Sequence, residues 1–289
     1  RIKNVQHLSK KNGRNAIVFQ ARTVGRSCVT AKKVVPVLTE VLRSGYYPDD
    51  SNRRIINEEY HQYIFIQEDR FKLLSGVARM NKGKSHFNGD NFLISRLECG
   101  KAIAAIADGM GSGKRAYIES RMVIELMENC IDAGFDEKAS IDLINSAYIA
   151  GGGTGNPVTM DMSVIDCQSG YMHCMKLGAV STFIRRDKWV EIIQSTTLPM
   201  GVLEQVDYDC TTKKLYDGDY IVMVSDGVLD NIPCVNKEER MAQMIHALTI
   251  REPSAMAEKL LEQSLAYNDM KASDDCTVLV LGLFDTYEK

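Results

Sequence analysis

KAIAAIADGMGSGKRA, residues 101–116, joins an apolar run to a cluster of glycines and basic residues, and its two halves point to different chemistries. Glycines beside a lysine invite a phosphate-binding loop, but the spacing does not fit one. A nucleoside-triphosphatase loop needs GxxxxGK followed by a Ser or Thr that holds magnesium. Here Gly109 stands only four residues before Gly113, and Arg115 occupies the hydroxyl position. Gly109, Gly111 and Gly113 run GxGxG, not the GxGxxG of dinucleotide sites. What remains is the run Ala102 to Ala107 ending in Asp108 and Gly109, which reads as a buried strand with a carboxylate at its end.

The same style of ending recurs. YIVMVSDGVLD, residues 220–230, places Asp226 and Gly227 after a long apolar strand. HFNGDNFLIS, residues 86–95, sets Asp90 just before a strand, and ASDDCTVLVLGLF, residues 272–284, sets Asp274 and Asp275 before another. Asp and Gly are ordinary turn residues, so any one of these ends reads as a turn or as a site. If the ends meet, like charges raise one another's pKa unless a cation lies among them. Oxygen-only ligands select a hard cation, Mg2+ or Mn2+, over zinc. Gly109 and Gly227 would let backbone and a metal's water approach closely. Two cations about 3.5–4 Å apart lower the pKa of a shared water and neutralise phosphoryl charge, which suits in-line hydrolysis of a phosphate ester.

The 289 residues suffice for one large domain, or one domain with an extension. With 35 basic against 38 acidic side chains there is no global field for nucleic acid or anionic lipid. No basic stripe interleaves with aromatics, so nucleic acid is not an expected partner. Eight cysteines without a CxxC pair and five histidines without HExxH argue against a disulfide scaffold and against zinc. Cys99, Cys167, Cys174 and Cys276 are expected as small buried hydrophobes in a reduced compartment. No apolar run is long enough to span a membrane, and no signal-peptide pattern is present. Because the chain opens on Arg1, it is read as a piece of a longer protein.

Asn15–Thr23 reads as a strand, and Val34, Val37, Leu38, Val41 and Leu42 form a helical stripe after it. SGYYPDDSNRR, residues 44–54, reads as a connector, with a boundary expected near residue 60. Strands are expected near Tyr63–Gln67, Phe71–Ala78, Asn91–Arg96 and Ala102–Ala107. Helical patterns follow at Ile118, Met122, Leu126 and Ile131, then at Ala139, Leu143 and Ala147. GGGTGNP, residues 151–157, is expected as a flexible loop, and six further strands between Thr159 and Val224 come after it. Helices at Glu238–Leu248 and Pro253–Ala266 precede a last strand at Thr277–Phe284. Several strand pairs lie too close for crossover helices, which favours packed sheets covered by helices over an alternating parallel sheet.

Together, GDNF at 89–92, DGMGSG at 108–113, VSDG at 224–227 and DDCTVLVL at 274–281 resemble the metal-dependent, PPM-type Ser/Thr protein phosphatases. ADGMGSGKRAYIES at 107–120, LPMG at 198–201 and SDGVLD at 225–230 are similar to the bacterial stage II sporulation protein E branch. CVTAKK at 28–33 is similar to the segment ahead of the phosphatase in that branch, and the resemblance covers about residues 70–285. It implies an α+β fold: an α-β-β-α sandwich of two antiparallel sheets flanked by helices, with an N-terminal α/β extension. Residues 1–65 would close a regulatory region and residues 66–289 would form the phosphatase domain.

The resemblance further implies two Mn2+ or Mg2+ ions held by Asp90, Asp108, the carbonyl of Gly109, Asp226 and Asp274, with Asp108, Asp226 and Asp274 as the catalytic carboxylates. Asp275, where the class often has asparagine, is assigned to supporting the ligands. Met110 stands where many eukaryotic members carry histidine, and it cannot supply a proton, so a metal's water or another group must. Arg79, Lys82 and Lys84 are candidate phosphate contacts or a solvated charged loop.

The implied substrate is a phosphorylated anti-sigma-factor antagonist, whose dephosphorylation releases a sporulation sigma factor. The implied parent is a bacterial protein anchored in the membrane at the division septum, with its catalytic portion in the cytoplasm and homo-oligomerisation through the regulatory region. Helices around Met122 and Leu143 are candidates for a switch that completes the metal site, or for fixed core. An inactive phosphatase-like binding or regulatory module is the alternative. Retention of four aspartates argues against it, since a dead site has no need to hold unpaired carboxylates together.

Overall fold

Alternating apolar residues build the first sheet. In this computed structural model, which describes residues 1–9, 14–97, 99–150, 156–187 and 189–286, the N-terminal strands are β1 (Ile2–Leu8), β2 (Ala16–Ala21), β3 (Val29–Thr30), β4 (Tyr46–Pro48), β5 (Ile55–Ile56) and β6 (His61–Gln67). A four-stranded antiparallel sheet runs β1-β2-β6-β4, while β3 and β5 pair separately. Ile17 and Phe19 of β2 share a face with Phe65 and Tyr63 of β6, and Phe19 stacks on Phe65 at 5.4 Å. Helix α1 (Val35–Leu42) closes that face through Val35 and Leu38. The stretch expected as a connector supplies β4, whose Pro48 ends an edge strand where a missing N–H is tolerated. β1 is exposed along its whole length, so no buried alternation marks it in the sequence.

After β6 the chain enters a sandwich through β7 (Phe71–Met80), β8 (Asp90–Arg96) and β9 (Lys101–Gly109). Helices α2 (Lys114–Asp132) and α3 (Glu137–Ala150) follow, then β10 (Val158–Asp166), β11 (Tyr171–Leu177), β12 (Thr182–Arg185), β13 (Val190–Ile193), β14 (Asp209–Lys214) and β15 (Tyr220–Val224). Helices α4 (Asp226–Asp230), α5 (Lys237–Ala247) and α6 (Pro253–Leu265) lead to β16 (Cys276–Asp285). One sheet runs β14-β11-β10-β9-β8 and the other β13-β12-β15-β16-β7, with every pairing antiparallel. The fold is the expected α+β sandwich. Of the GGGTGNP loop, residues 151–155 lie outside the described residues.

Between the sheets pack Ala104, Ile106 and Cys174 from one side and Met223, Leu279 and Leu281 from the other. Helices α2 and α3 cover the first sheet through Val123, Met127, Ile141 and Ile144, and α5 and α6 cover the second through Met241, Ile245, Met256 and Leu260. Cys167, Cys174 and Cys276 are buried as free thiols, whereas Cys99 is half-buried. Among the described residues, no helix is long and apolar enough to cross a membrane.

The buried stripe of α2 differs from the expected one. Ala116, Ser120, Val123, Met127 and Cys130 face the sheet, while Ile118 and Met122 are exposed. Gly109 explains the rotation, because a Cβ there would overlap the backbone of Ala116. The first turn of the helix is therefore seated directly on the end of β9, and its remaining face follows from that contact. In α3 the core face is likewise Ile141, Ile144 and Tyr148, with Leu143 outside.

Gly76 performs the equivalent service on the other sheet, where a Cβ would run into the backbone of Pro253 and Ser254 at the start of α6. Gly76→Ala is expected to destabilise the chain by about 1–3 kcal/mol through overpacking. Denaturant unfolding measures this, and an unchanged midpoint would contradict so close a helix-to-sheet contact.

Candidate metal centre

Register brings the carboxylates together. Asp90 and Asp108 are direct partners across β8 and β9, so both project from one face toward the opposite sheet. On that sheet Val224 of β15 pairs with Val278 of β16, so the residues following β15 and those preceding β16 emerge at one edge. Asp226 opens α4 there, and Asp274 and Asp275 lie immediately before β16. The VSDG ending is thus the start of a short helix and not a bare turn.

Asp90 is fully buried, and neither carboxylate oxygen has a hydrogen-bond partner within normal geometry. Burial pushes its pKa up to about 7; the nearby hydroxyls of Thr277 and Ser225 oppose the rise, and the charges of Asp226 and Asp275 add to it. Burial, then the charges of Asp90 and Asp226, push Asp108 up to about 10. The Asp108 and Asp226 carboxyls lie close enough to share a hydrogen bond, which acts to raise the pKa of Asp108 and to lower that of Asp226. Asp226 is open to solvent on one side, yet the protein packed around its carboxylate raises its pKa as well.

Among the described residues, no group of three or more His, Cys, Asp or Glu side chains is arranged to hold a metal ion as it stands. The chemistry of the donors nevertheless fits a hard cation: carboxylates alone, one of them buried with two free acceptor oxygens, and mutual repulsion that positive charge would cancel. Both DG glycines admit neighbouring backbone: Gly109 that of Ala116, and Gly227 the carbonyl of Asp275.

The supporting contacts are largely polar. Asp275 is buried and accepts the Lys82 N–H on Oδ1 and the Gly89 N–H on Oδ2, each at 2.8 Å, which fastens the loop ahead of β8 to β16. Asn88 Oδ1 accepts the Asp90 N–H at 3.0 Å. Ser120 Oγ of α2 donates to the Gly89 carbonyl at 2.5 Å and accepts from Asn91 Nδ2 at 2.8 Å, joining helix to loop. Gly111 and Gly113, at φ 95° and 85°, supply the left-handed steps that turn β9 into α2.

Of the three candidate phosphate contacts, Arg79 lies at the centre and donates through Nη2 to the Asp90 carbonyl and through Nε to Thr277 Oγ1 at 3.4 Å. Lys82 Nζ stands 3.4 Å from Asp274 Oδ1. Lys84 is exposed on the loop. Met110 is exposed beside Asp108, its N–H held by the Pro157 carbonyl at 3.2 Å. Sequence reasoning passed over Ser225, Thr277, Asn88 and Ser120. The first two sit inside VSDG and DDCT, where a hydroxyl next to a strand-end aspartate was the available signal.

The family description "Stage II sporulation protein E (SpoIIE)" matches residues 99–284. Stage II sporulation protein E of Bacillus subtilis (strain 168) is 30% identical over 253 residues, 87% of this chain and 31% of that protein. The Priestia megaterium protein of the same name is also 30% identical over 253 residues, 87% of this chain and 43% of its own length. The chain therefore spans less than half the length of these relatives. The solved PP2C phosphatase domain with a fragment of the regulatory domain of SpoIIE from Bacillus subtilis is similar at a TM-score of 0.78 and 28% identity, covering 99% of this chain and 84% of that one.

The raised carboxylates set a pH dependence. Asp90 titrates from an ordinary value of 3.8 when unfolded but from about 7 when folded, so between those values the folded state binds more protons and stability falls as pH rises. Chelator-treated protein is expected to melt at progressively lower temperature from about pH 5 to about pH 8, with a shallower slope in Asp90→Asn. A melting temperature that rises over that range, or a slope unaltered in the variant, would contradict the placement of Asp90.

Proposed function

The chain belongs to the stage II sporulation protein E family of phosphatases, and we propose that it is a metal-dependent enzyme hydrolysing phosphoserine or phosphothreonine on a protein. The observation that carries this reading is Asp90, buried with both oxygens unpartnered and set directly opposite Asp108. A buried carboxylate with no hydrogen bond of normal geometry is costly, the neighbouring Thr277 and Ser225 hydroxyls offset only part of that cost, and a bound cation is the partner that removes it. In this reading Asp90, Asp108, the Gly109 carbonyl, Asp226 and Asp274 hold two Mn2+ or Mg2+ ions. When bound, such ions activate water near neutral pH and neutralise charge on the phosphoryl oxygens.

The chain's own residues have separate tasks. Asp108, Asp226 and Asp274 supply the catalytic negative charge at the mouth. Asp275, with both oxygens engaged by backbone N–H groups, holds the loop that positions Asp90. Lys82, half-exposed beside Asp274, is the flexible cation best placed to meet a substrate phosphate. Arg79 adds fixed positive charge behind Asp90; burial lowers its pKa, and the charges of Asp90 and Asp275 oppose that change. Met110 donates no proton, so protonation of the leaving oxygen falls to water or to another group.

Family membership supports a phosphorylated anti-sigma-factor antagonist as the protein substrate, and hence a role in activating a sporulation sigma factor. It also supports a membrane-anchored parent at the division septum. Residues 1–65, which contain nearly all of the N-terminal sheet, would form the end of a regulatory region and a route to self-association. The helices flanking the site are the elements such a region would act on.

Hydrolysis of a phosphoserine protein with and without Mn2+ tests the assignment. Asp226→Asn is expected to lower kcat/KM more than about 100-fold, the scale of losing an electrostatic stabiliser at the reacting centre. Asp275→Asn should cost about tenfold. Full turnover of Asp226→Asn would sink the ligand assignment, and equal losses would show that Asp275 acts directly.

A further inference from the structure

Lys176 and Asp161 are both fully buried within the sandwich, 2.6 Å apart from Nζ to Oδ2. They are register partners on β11 and β10, and Asp161 is also the partner of Ile106, two residues before Asp108 on the same face. The pair therefore lies about 7 Å, one strand row, beneath the carboxylates. On the opposing sheet Thr182 pairs with Met223, which pairs with Leu279; the next row up contains Ser225 and Thr277, the hydroxyls beside Asp90. Thr182 Oγ1 donates to Asp161 Oδ2 and so crosses from one sheet to the other at this level. Lys176 Nζ donates to the Val180 carbonyl at 2.6 Å, in the segment where the chain itself passes from β11 to β12 and changes sheet.

A buried ion pair adds little stability that apolar side chains of similar volume would not supply. What it adds is direction: apolar faces tolerate sliding, whereas bonds from one carboxylate to a lysine and to a hydroxyl on the facing sheet allow one register. Register matters here because the carboxylates come from both sheets, Asp90 and Asp108 from one, Asp226 and Asp274 from the other. We infer that the Asp161–Lys176–Thr182 network is a positioning device, holding the two halves of the centre in the alignment that cation binding needs. The inference rests on the metal-dependent reading above.

Titration calorimetry with Mn2+ on the folded chain tests it, with thermal unfolding of chelated protein alongside. Thr182→Val removes the cross-sheet bond with little change of shape, and it is expected to weaken Mn2+ binding about tenfold while leaving the chelated melting temperature within a few degrees. Thr182→Ser, which keeps the hydroxyl, should retain wild-type affinity. The double variant Asp161→Leu/Lys176→Met should fold at least as stably as wild type in chelator yet bind Mn2+ as weakly as Thr182→Val. Equal Mn2+ affinity in wild type and Thr182→Val would overturn the inference, whether or not the double variant folds. No Mn2+ binding by the wild type would instead overturn the metal-dependent reading, and this inference with it.

Discussion

Burial of carboxylates delivered by two different sheets, with their mutual repulsion added to it, is the constraint around which this molecule is built. Strand pairing sets Asp90 against Asp108, and the edge of the facing sheet brings Asp226 and Asp274 toward them. Burial then denies Asp90 and Asp108 much of the water that would screen them, and both carboxyls are pushed well above the usual carboxylate range. A fold optimised only for stability would not bury Asp90 fully with no hydrogen bond of normal geometry to either carboxylate oxygen. In the proposed function that cost is offset by cations, and the same charge that destabilises the protein alone is what concentrates them.

The remaining architecture serves to hold those groups close. Gly109 lets α2 rest on the end of β9, Gly227 lets α4 start against the Asp275 carbonyl, and Ser120 binds the helix to the loop ahead of β8. Asp275 ties that loop to the second sheet through two backbone N–H groups. These contacts make the environment of Asp90 depend on α2, β16 and the loop between β7 and β8 at once. A displacement of α2 would therefore be felt at the carboxylates without any direct contact between the displacing element and a carboxylate.

Much of this was legible in the sequence because it is local. An apolar run ending in DG is visible whatever it packs against, and four such carboxylates in order carry a resemblance that composition alone could not. Closely spaced strands announced antiparallel sheets for a topological reason. What escaped is decided by tertiary contacts. The rotation of α2 depends on Gly109 meeting Ala116, so Ile118 and Met122, good stripe residues on paper, are exposed. β1 has no buried face to betray it, and β4 hides among turn residues because it needs only one partner. Lys176 and Asp161 look like solvated charges within strands until the register shows that they face each other in the interior.

Proton release on cation binding tests the central claim most directly. Mn2+ would be titrated into the chelator-stripped protein near pH 6 in two buffers of different ionisation enthalpy, and again near pH 8, which yields the number of protons displaced. If the carboxylates are held protonated by burial and mutual repulsion, binding displaces about one proton or more near pH 6 and fewer near pH 8. Binding with no proton released at either pH would mean that the aspartates are already ionised and that their burial is not the organising constraint.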